Sequence, residues 1–187
     1  MTTADCLIIE RPEAGLAIVR LNRPTQYNCL SKSLLAALQL QFDLIAADTS
    51  VRVVILAANG KAFCAGHDLK EMRAEPSLAY HQNLFGLCTR MMMTIQKMPQ
   101  VVIAQVQGIA TAAGCQLVAM CDLAVASEDA QFAVAGVNLG LFCSTPSVAL
   151  SRNLSRKAAF ELLMTGDRKS TRLNSSHRNT SRMPSSA

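Results

Sequence analysis

The sequence predicts an α/β fold, and three observations carry that expectation. Short apolar runs at residues 51–57, 101–107 and 123–126 have the length of strands rather than helices. The stretches between them place apolar side chains at the three-and-four spacing of helices. Two junctions following the first two runs are built of Gly, Ala and other small residues, which suits a strand handing over to a closely packed helix.

The elements follow in order. Residues 6–10 and 16–21 read as strands, and Pro12-Glu13-Ala14-Gly15 between them has turn composition, so the pair is expected to form a hairpin. Asn22-Arg23-Pro24 stops the second strand. Ser31 can cap a helix that runs to about Ala47 and gathers Leu34, Leu35, Leu38, Phe42 and Ile45 on one face. Residues 51–57 form a strand expected to be buried on both faces, followed by a loop with Gly60 and Gly66. Residues 70–98 read as helix, interrupted at Pro76 and ended by Pro99. Its apolar side holds Leu84, Leu87, Ile95 and the Met91-Met92-Met93 cluster, which reads as core filler rather than a metal site. Residues 101–107 form a second buried strand, broken by Gly108, and Ala110 to Gly114 lead into a helix starting near Gly114. Residues 123–126 form a third strand, and Phe160 to Met164 lie in a last helix stopped by Gly166. Ser144 and Thr145 fall in a loop before Pro146, and no internal repeat is visible.

Composition narrows the function classes. The chain has 187 residues, 50% of them hydrophobic and 17% charged, which fits one sizeable core and excludes wholesale disorder. No apolar stretch approaches the roughly 18 residues of a membrane span. The net charge is +5, yet all five excess positive charges lie after Asp167, on Arg168, Lys169, Arg172, Arg178 and Arg182. Residues 1–167 are therefore electroneutral and carry no stripe that could track a phosphate backbone, and aromatics at 4% without Trp argue against base-stacking platforms. No nucleic-acid partner is expected. Residues 168–187 are basic and Ser/Arg-rich and read as a disordered tail. The seven cysteines form no CxxC pair and read as buried small hydrophobes, with no metal site expected.

The informative features are the two junctions, Ala62-Phe63-Cys64-Ala65-Gly66-His67-Asp68 and Gly108-Ile109-Ala110-Thr111-Ala112-Ala113-Gly114-Cys115. Small residues let a ligand approach the backbone, and a following helix offers unpaired N–H donors with partial positive charge. Two such loops could form an oxyanion hole. They could equally serve close packing of helix on strand, and spacing alone does not choose between these.

Leu21-Asn22-Arg23-Pro24-Thr25-Gln26-Tyr27-Asn28-Cys29-Leu30, the two junctions, Gln131-Phe132 and Leu163-Met164-Thr165-Gly166-Asp167 resemble, in order, the signature segments of the enoyl-CoA hydratase/isomerase (crotonase) family. The resemblance implies a spiral of ββα units, incomplete at its C-terminus, that holds an acyl-CoA thioester. It further implies that the backbone N–H groups of His67 and Ala113 are the two oxyanion donors. Ala65, Gly66, Asp68, Lys70 and Gly114 would line the coenzyme A portion of the ligand, with no separate cofactor. A homotrimer or hexamer and a mitochondrial location are implied in the same way. Thr25 stands where the family often has a basic residue, which puts phosphate contacts there in doubt.

The chain departs from an active hydratase at two positions. Adding water across an unsaturated thioester requires a base for the water and an acid for the α-carbon, and family hydratases use two glutamates. Gln116 and Gly136 stand at those positions here, so the resemblance implies acyl-CoA binding with little or no hydration. The alternative is a hydratase, or another thioester-enolate enzyme, drawing acid and base from elsewhere, with Asp122, Glu128, Asp129 or the His67 imidazole as candidates. Asp68 is expected to cap the following helix. After Asp167 the segment from Lys169 to His177 resembles translated cloning or adapter sequence, so the expectation is a truncated domain, 1–167, with a non-native tail.

Overall fold

The structure is a computed structural model that describes residues 6–170. Among the described residues nine strands form two sheets, and six α-helices accompany them. The strands are β1 (Leu7–Glu10), β2 (Leu16–Leu21), β3 (Val53–Ala58), β4 (Ala62–Cys64), β5 (Val101–Val106), β6 (Ile109–Thr111), β7 (Leu123–Ala126), β8 (Gln131–Ala133) and β9 (Lys169–Ser170). The helices are α1 (Lys32–Ala47), α2 (Leu69–Ala74), α3 (Leu78–Lys97), α4 (Ala113–Met120), α5 (Ser144–Asn153) and α6 (Arg156–Thr165). The first sheet runs β1-β2-β3-β5-β7 and the second β4-β6-β8-β9.

The two orders expose a repeat that is not visible in the sequence. Each of β3-β4, β5-β6 and β7-β8 gives its first strand to the large sheet and its second to the small one, then passes into a helical segment. Every pairing between these units is parallel, with Val53 opposite Val101, Ile103 opposite Leu123 and Ile109 opposite Gln131. A spiral of ββα units is the outcome. The repeat escapes detection because β4, β6 and β8 are three residues long and share no pattern beyond small size.

Most elements expected from the sequence are present. The β1-β2 hairpin is antiparallel, and the 70–98 helix is split into α2 and α3 around Pro76. Ser31 caps α1 by accepting the Leu34 N–H at 3.2 Å, and Gly166 ends α6 in the left-handed conformation. Four expectations need correction. The segments around Gly60 to Gly66 and after Gly108 contain strands β4 and β6 rather than loop alone. Strands β3 and β5 are not buried on both faces: Val54, Leu56, Val102 and Ala104 are fully enclosed, while Val53, Ile55, Val101 and Ile103 are not. Ser144 and Thr145 open helix α5 instead of lying in a loop. Of the seven cysteines, Cys29 and Cys143 are only half-buried, and all seven are free thiols.

The main core lies where Leu34, Leu38 and Phe42 of α1 meet Val19, Leu21, Val54 and Leu56 of the sheet and Leu84, Met91 and Met92 of α3. These side chains are inaccessible to solvent or nearly so, each contributing about 1.5–3 kcal/mol by burial. A smaller core of Cys115, Leu150, Leu162 and Leu163 joins α4, α5 and α6. Lys169 and Ser170, the head of the basic segment, pair with β8, and the rest of the segment lies outside the described residues. Among the described residues no helix is long and apolar enough to cross a membrane.

Candidate active site

The two junctions meet. A Cβ built on Gly66 would lie 3.1 Å from Ala112 Cβ, 3.2 Å from the Thr111 carbonyl oxygen and 3.4 Å from the Ala113 nitrogen. Gly66 also holds φ at +90°, a conformation that L side chains rarely adopt, so its backbone angle favours glycine and its neighbours leave a side chain little space. The first loop is held in place from below by a polar bracket. Asn28, fully buried and itself in the left-handed region at φ 52°, donates to the Asn59 and Ala62 carbonyls at 2.9 and 2.8 Å and accepts the Arg23 N–H at 2.8 Å. Arg23 donates to the Cys29 carbonyl at 2.7 Å and to Ser31 Oγ at 2.8 Å, and pairs with Asp68 at 3.3 Å. Gln107 donates to the Gly60 and Ala62 carbonyls from the end of β5.

This bracket aims the His67 N–H. Leu30 forms a parallel bridge to His67 in which the Leu30 N–H donates to the Gly66 carbonyl at 2.8 Å and the Asp68 N–H donates to the Leu30 carbonyl at 3.3 Å. The partners of Leu30 are thus the residues either side of His67, and the N–H of His67 is turned away from Leu30. Across the gap, Ala113 is the first residue of α4, and its helix cap is Ala112, whose methyl cannot accept a hydrogen bond. The Ala113 N–H is one of the donors that a helix start leaves unpaired. Ala112 turns the chain from β6 into α4 at φ 50° and ψ −120°, and its own N–H donates to the Ala133 carbonyl at 2.9 Å.

Small residues here serve packing as well. A Cβ on Gly114 would collide with the Cys64 carbonyl, and one on Gly108 with the Lys61 carbonyl. Of the two readings left open by spacing, close packing holds at Gly108 and Gly114, which seat helix on strand. Asp68 caps α2 through Oδ1, which accepts from Lys70 N at 3.2 Å and Glu71 N at 3.3 Å, while Oδ2 takes Arg23. Both of its oxygens are thereby engaged within the protein. Ala65 donates its N–H to the Tyr27 carbonyl at 3.0 Å, and its carbonyl accepts the Thr111 hydroxyl at 3.1 Å. Lys70 stands exposed on the first turn of α2.

Gln116 lies one turn into α4, 9% exposed, with Oε1 buried and without a partner. Gly136 sits in a short 3-10 turn, Ala135–Leu139, and has no room for a side chain, because a Cβ there would collide with Cys143 Sγ and lie 2.6 Å from the Leu141 carbonyl oxygen. The backbone has closed over that position. The imidazole of His67 packs edge-on against Phe85 at 5.2 Å, and burial pushes its pKa below the ordinary value, an effect that the nearby Leu30 carbonyl partly opposes. Asp122 is committed to the sheet, where Oδ2 accepts the Val102 N–H at 2.8 Å. Burial pushes the Cys64 and Cys115 thiols up to about 12, which leaves them protonated and non-nucleophilic. Arg23, Asn28, Gln107 and Ala112 were not singled out as functional from sequence. Arg23 and Asn28 lie in a quoted signature segment, but their role depends on partners 31 to 45 residues away, the Asn59 and Ala62 carbonyls and the Asp68 carboxylate.

Two sheets built by a ββα spiral, with the junctions of successive turns brought together, define a fold of the crotonase type. The chain belongs to the enoyl-CoA hydratase/isomerase family, whose model matches residues 11–172. It is 48% identical over 161 residues to enoyl-CoA hydratase domain-containing protein 3, mitochondrial, of Xenopus laevis, covering 86% of this chain and 55% of that protein. The human protein of the same name is 48% identical over 153 residues, covering 82% of this chain and 50% of that one. Among solved structures, an enoyl-CoA hydratase from Mycobacterium smegmatis superposes with a TM-score of 0.88 at 61% identity, covering 91% of this chain and 66% of its own. The human enoyl-CoA hydratase domain-containing protein 3 superposes at 0.85 and 45% identity, covering 89% and 66%. The chain thus spans about half the length of the curated relatives it matches.

Proposed function

We propose that this chain binds an acyl-CoA thioester, as part of fatty-acid metabolism, through an oxyanion hole formed by the backbone N–H groups of His67 and Ala113, and that it hydrates enoyl-CoA weakly or not at all. The observation that carries this reading is the pairing of those two open N–H groups with Gln116 and Gly136, neither of which can exchange a proton near neutral pH. Each donor acts on charge that develops as the thioester oxygen becomes an enolate oxygen, and each is worth on the order of 3 kcal/mol when well placed. Absence of both acid and base removes roughly 10² to 10⁴-fold per group. Ala65, Gly66, Lys70 and Gly114 border the coenzyme A portion; Lys70 is the cation among them, and Asp68 acts on the ligand only through the loop that it fixes. Asp122 is a poor substitute base because its carboxylate already holds Val102 N–H.

The names of the animal relatives support a mitochondrial setting, and their family supports a homotrimer or hexamer for the whole protein. The 61% identity to a mycobacterial protein supports a bacterial setting as the second reading. Calorimetry with butyryl-CoA and free CoA, run beside a crotonyl-CoA hydration assay, tests the function. Micromolar ester binding without turnover is expected. Robust turnover that disappears in Asp122→Asn would replace this reading with a hydratase using a non-standard base. Gln116→Glu is the informative single restoration, since position 136 has no space for a glutamate.

A further inference from the structure

The strand registers set a row of aliphatic side chains across the outer side of the large sheet. Ile18 lies opposite Ile55, Ile55 opposite Ile103 and Ile103 opposite Leu123, with Val53 opposite Val101 in the row beside it. Side chains alternate along a strand, so these six point away from Val19, Val54, Leu56, Val102 and Ala104, which are fully enclosed in the core. None of the six is enclosed in that way: Val101 is 42% exposed, Leu123 58%, and the other four are part-exposed. Parallel strands that are apolar on both sides are ordinarily covered on both, whereas a sheet side that faces water ordinarily alternates to polar residues. This side is apolar and accessible at once.

Its charges are already matched. Among the outward positions of β1, β2, β3, β5 and β7 the charged residues are Glu10 and Arg20, and they pair with each other at 2.9 Å. An anionic lipid surface, a nucleic acid or a charged peptide therefore finds no free counter-charge on these strands. Residues 1–5 and 171–187, which lie outside the described residues, contain three large apolar side chains, Met1, Leu173 and Met183, too few to cover six aliphatic ones spread over four strands. Strand spacing gives three side-chain repeats on four strands a footprint of about 400 Å². That is the size of a functional patch on a monomer, and about half of what each partner contributes to a standard interface. The register is unbroken across the four strands, so the surface suits a second sheet stacked roughly 10 Å away. A second copy of the chain supplies such a sheet, equally apolar and equally neutral.

We propose that this face packs against the same face of a second copy, across a two-fold axis passing near Ile55 on the central strand β3, and forms a reversible dimer. The proposal stands apart from the acyl-CoA reading. Sedimentation equilibrium of the 187-residue chain tests it. The average mass should rise with concentration from 20.1 kDa toward twice that value. Ile55→Lys and Ile55→Glu each bring like charges together at the axis and should weaken association by at least about 10-fold, and mixing the two variants should restore it. Mixing does not repair a damaged fold. Val101→Lys, at a position already open to solvent, should weaken association as well. A chain that stays at 20.1 kDa, or whose mass levels at three copies, overturns the proposal. So does association that mixing the Ile55 variants fails to restore, or that Val101→Lys leaves unchanged; the latter would assign it to the edge of β7.

Discussion

Ala112 holds a backbone conformation, φ 50° and ψ −120°, that glycine adopts freely and alanine does not. Strain of this kind costs on the order of 1–3 kcal/mol, and it persists here because the turn it makes delivers Ala113 N–H to the gap facing His67. Ala112→Gly should therefore raise stability by about 1 kcal/mol in urea titrations, and a loss of stability would show that the methyl contact with Gly66 outweighs the strain. His67 makes a pH-dependent contribution. Its pKa in the fold lies below the free value of 6.5, because burial disfavours the imidazolium. The unfolded chain takes up the proton first, so this stability is fully present above pH 6.5 and is lost as the pH falls through 6.5 toward the folded value. Thermal melts between pH 7 and 5 should show a decline that is smaller in His67→Gln, and parallel profiles for the two proteins would contradict it.

Short elements, not long ones, make the site. Strands β4 and β6 have three residues each and could not stand alone, yet they carry the two junctions and pair with each other in parallel. Asn28 supplies what their brevity lacks, accepting from Arg23 N–H in its own loop and donating to the carbonyls of Asn59, just after β3, and of Ala62 in β4. Asn28→Ala should cost about 2–4 kcal/mol, measured by chemical denaturation, because it strands buried backbone groups, and it should weaken ester binding by displacing the His67 loop. A cost below roughly 0.5 kcal/mol would mean that water replaces the amide. The longer elements α1, α3, β2, β3 and β5 were legible in sequence, since their apolar periodicity extends over several residues. Strands β4, β6 and β8 were not, since three residues carry no periodicity to read and the partners of β4 in β6 lie 46 to 47 positions away.

At the scale of the molecule, β7 is an outer strand of the large sheet among the described residues, and its Leu123 and Val125 are 58% and 64% exposed beside a hollow of about 460 Å³ lined by Leu150, Leu154 and Leu162. An open apolar edge strand is a template for association. Size-exclusion chromatography should show concentration-dependent self-association that Val125→Lys reduces, and a single sharp species unaffected by that change would exclude the edge as its cause. The sequence by itself determined the α/β class, the hairpin, the long helices, the neutrality of the body and the identity of Gln116 and Gly136, because periodicity, charge and residue type are local properties. Only the tertiary structure decided that successive ββα turns stack into two sheets, that His67 N–H faces away from Leu30, and that no side chain fits at position 136. Those facts are made by contacts between residues far apart in the chain, and such contacts become visible only when the spiral brings its turns together.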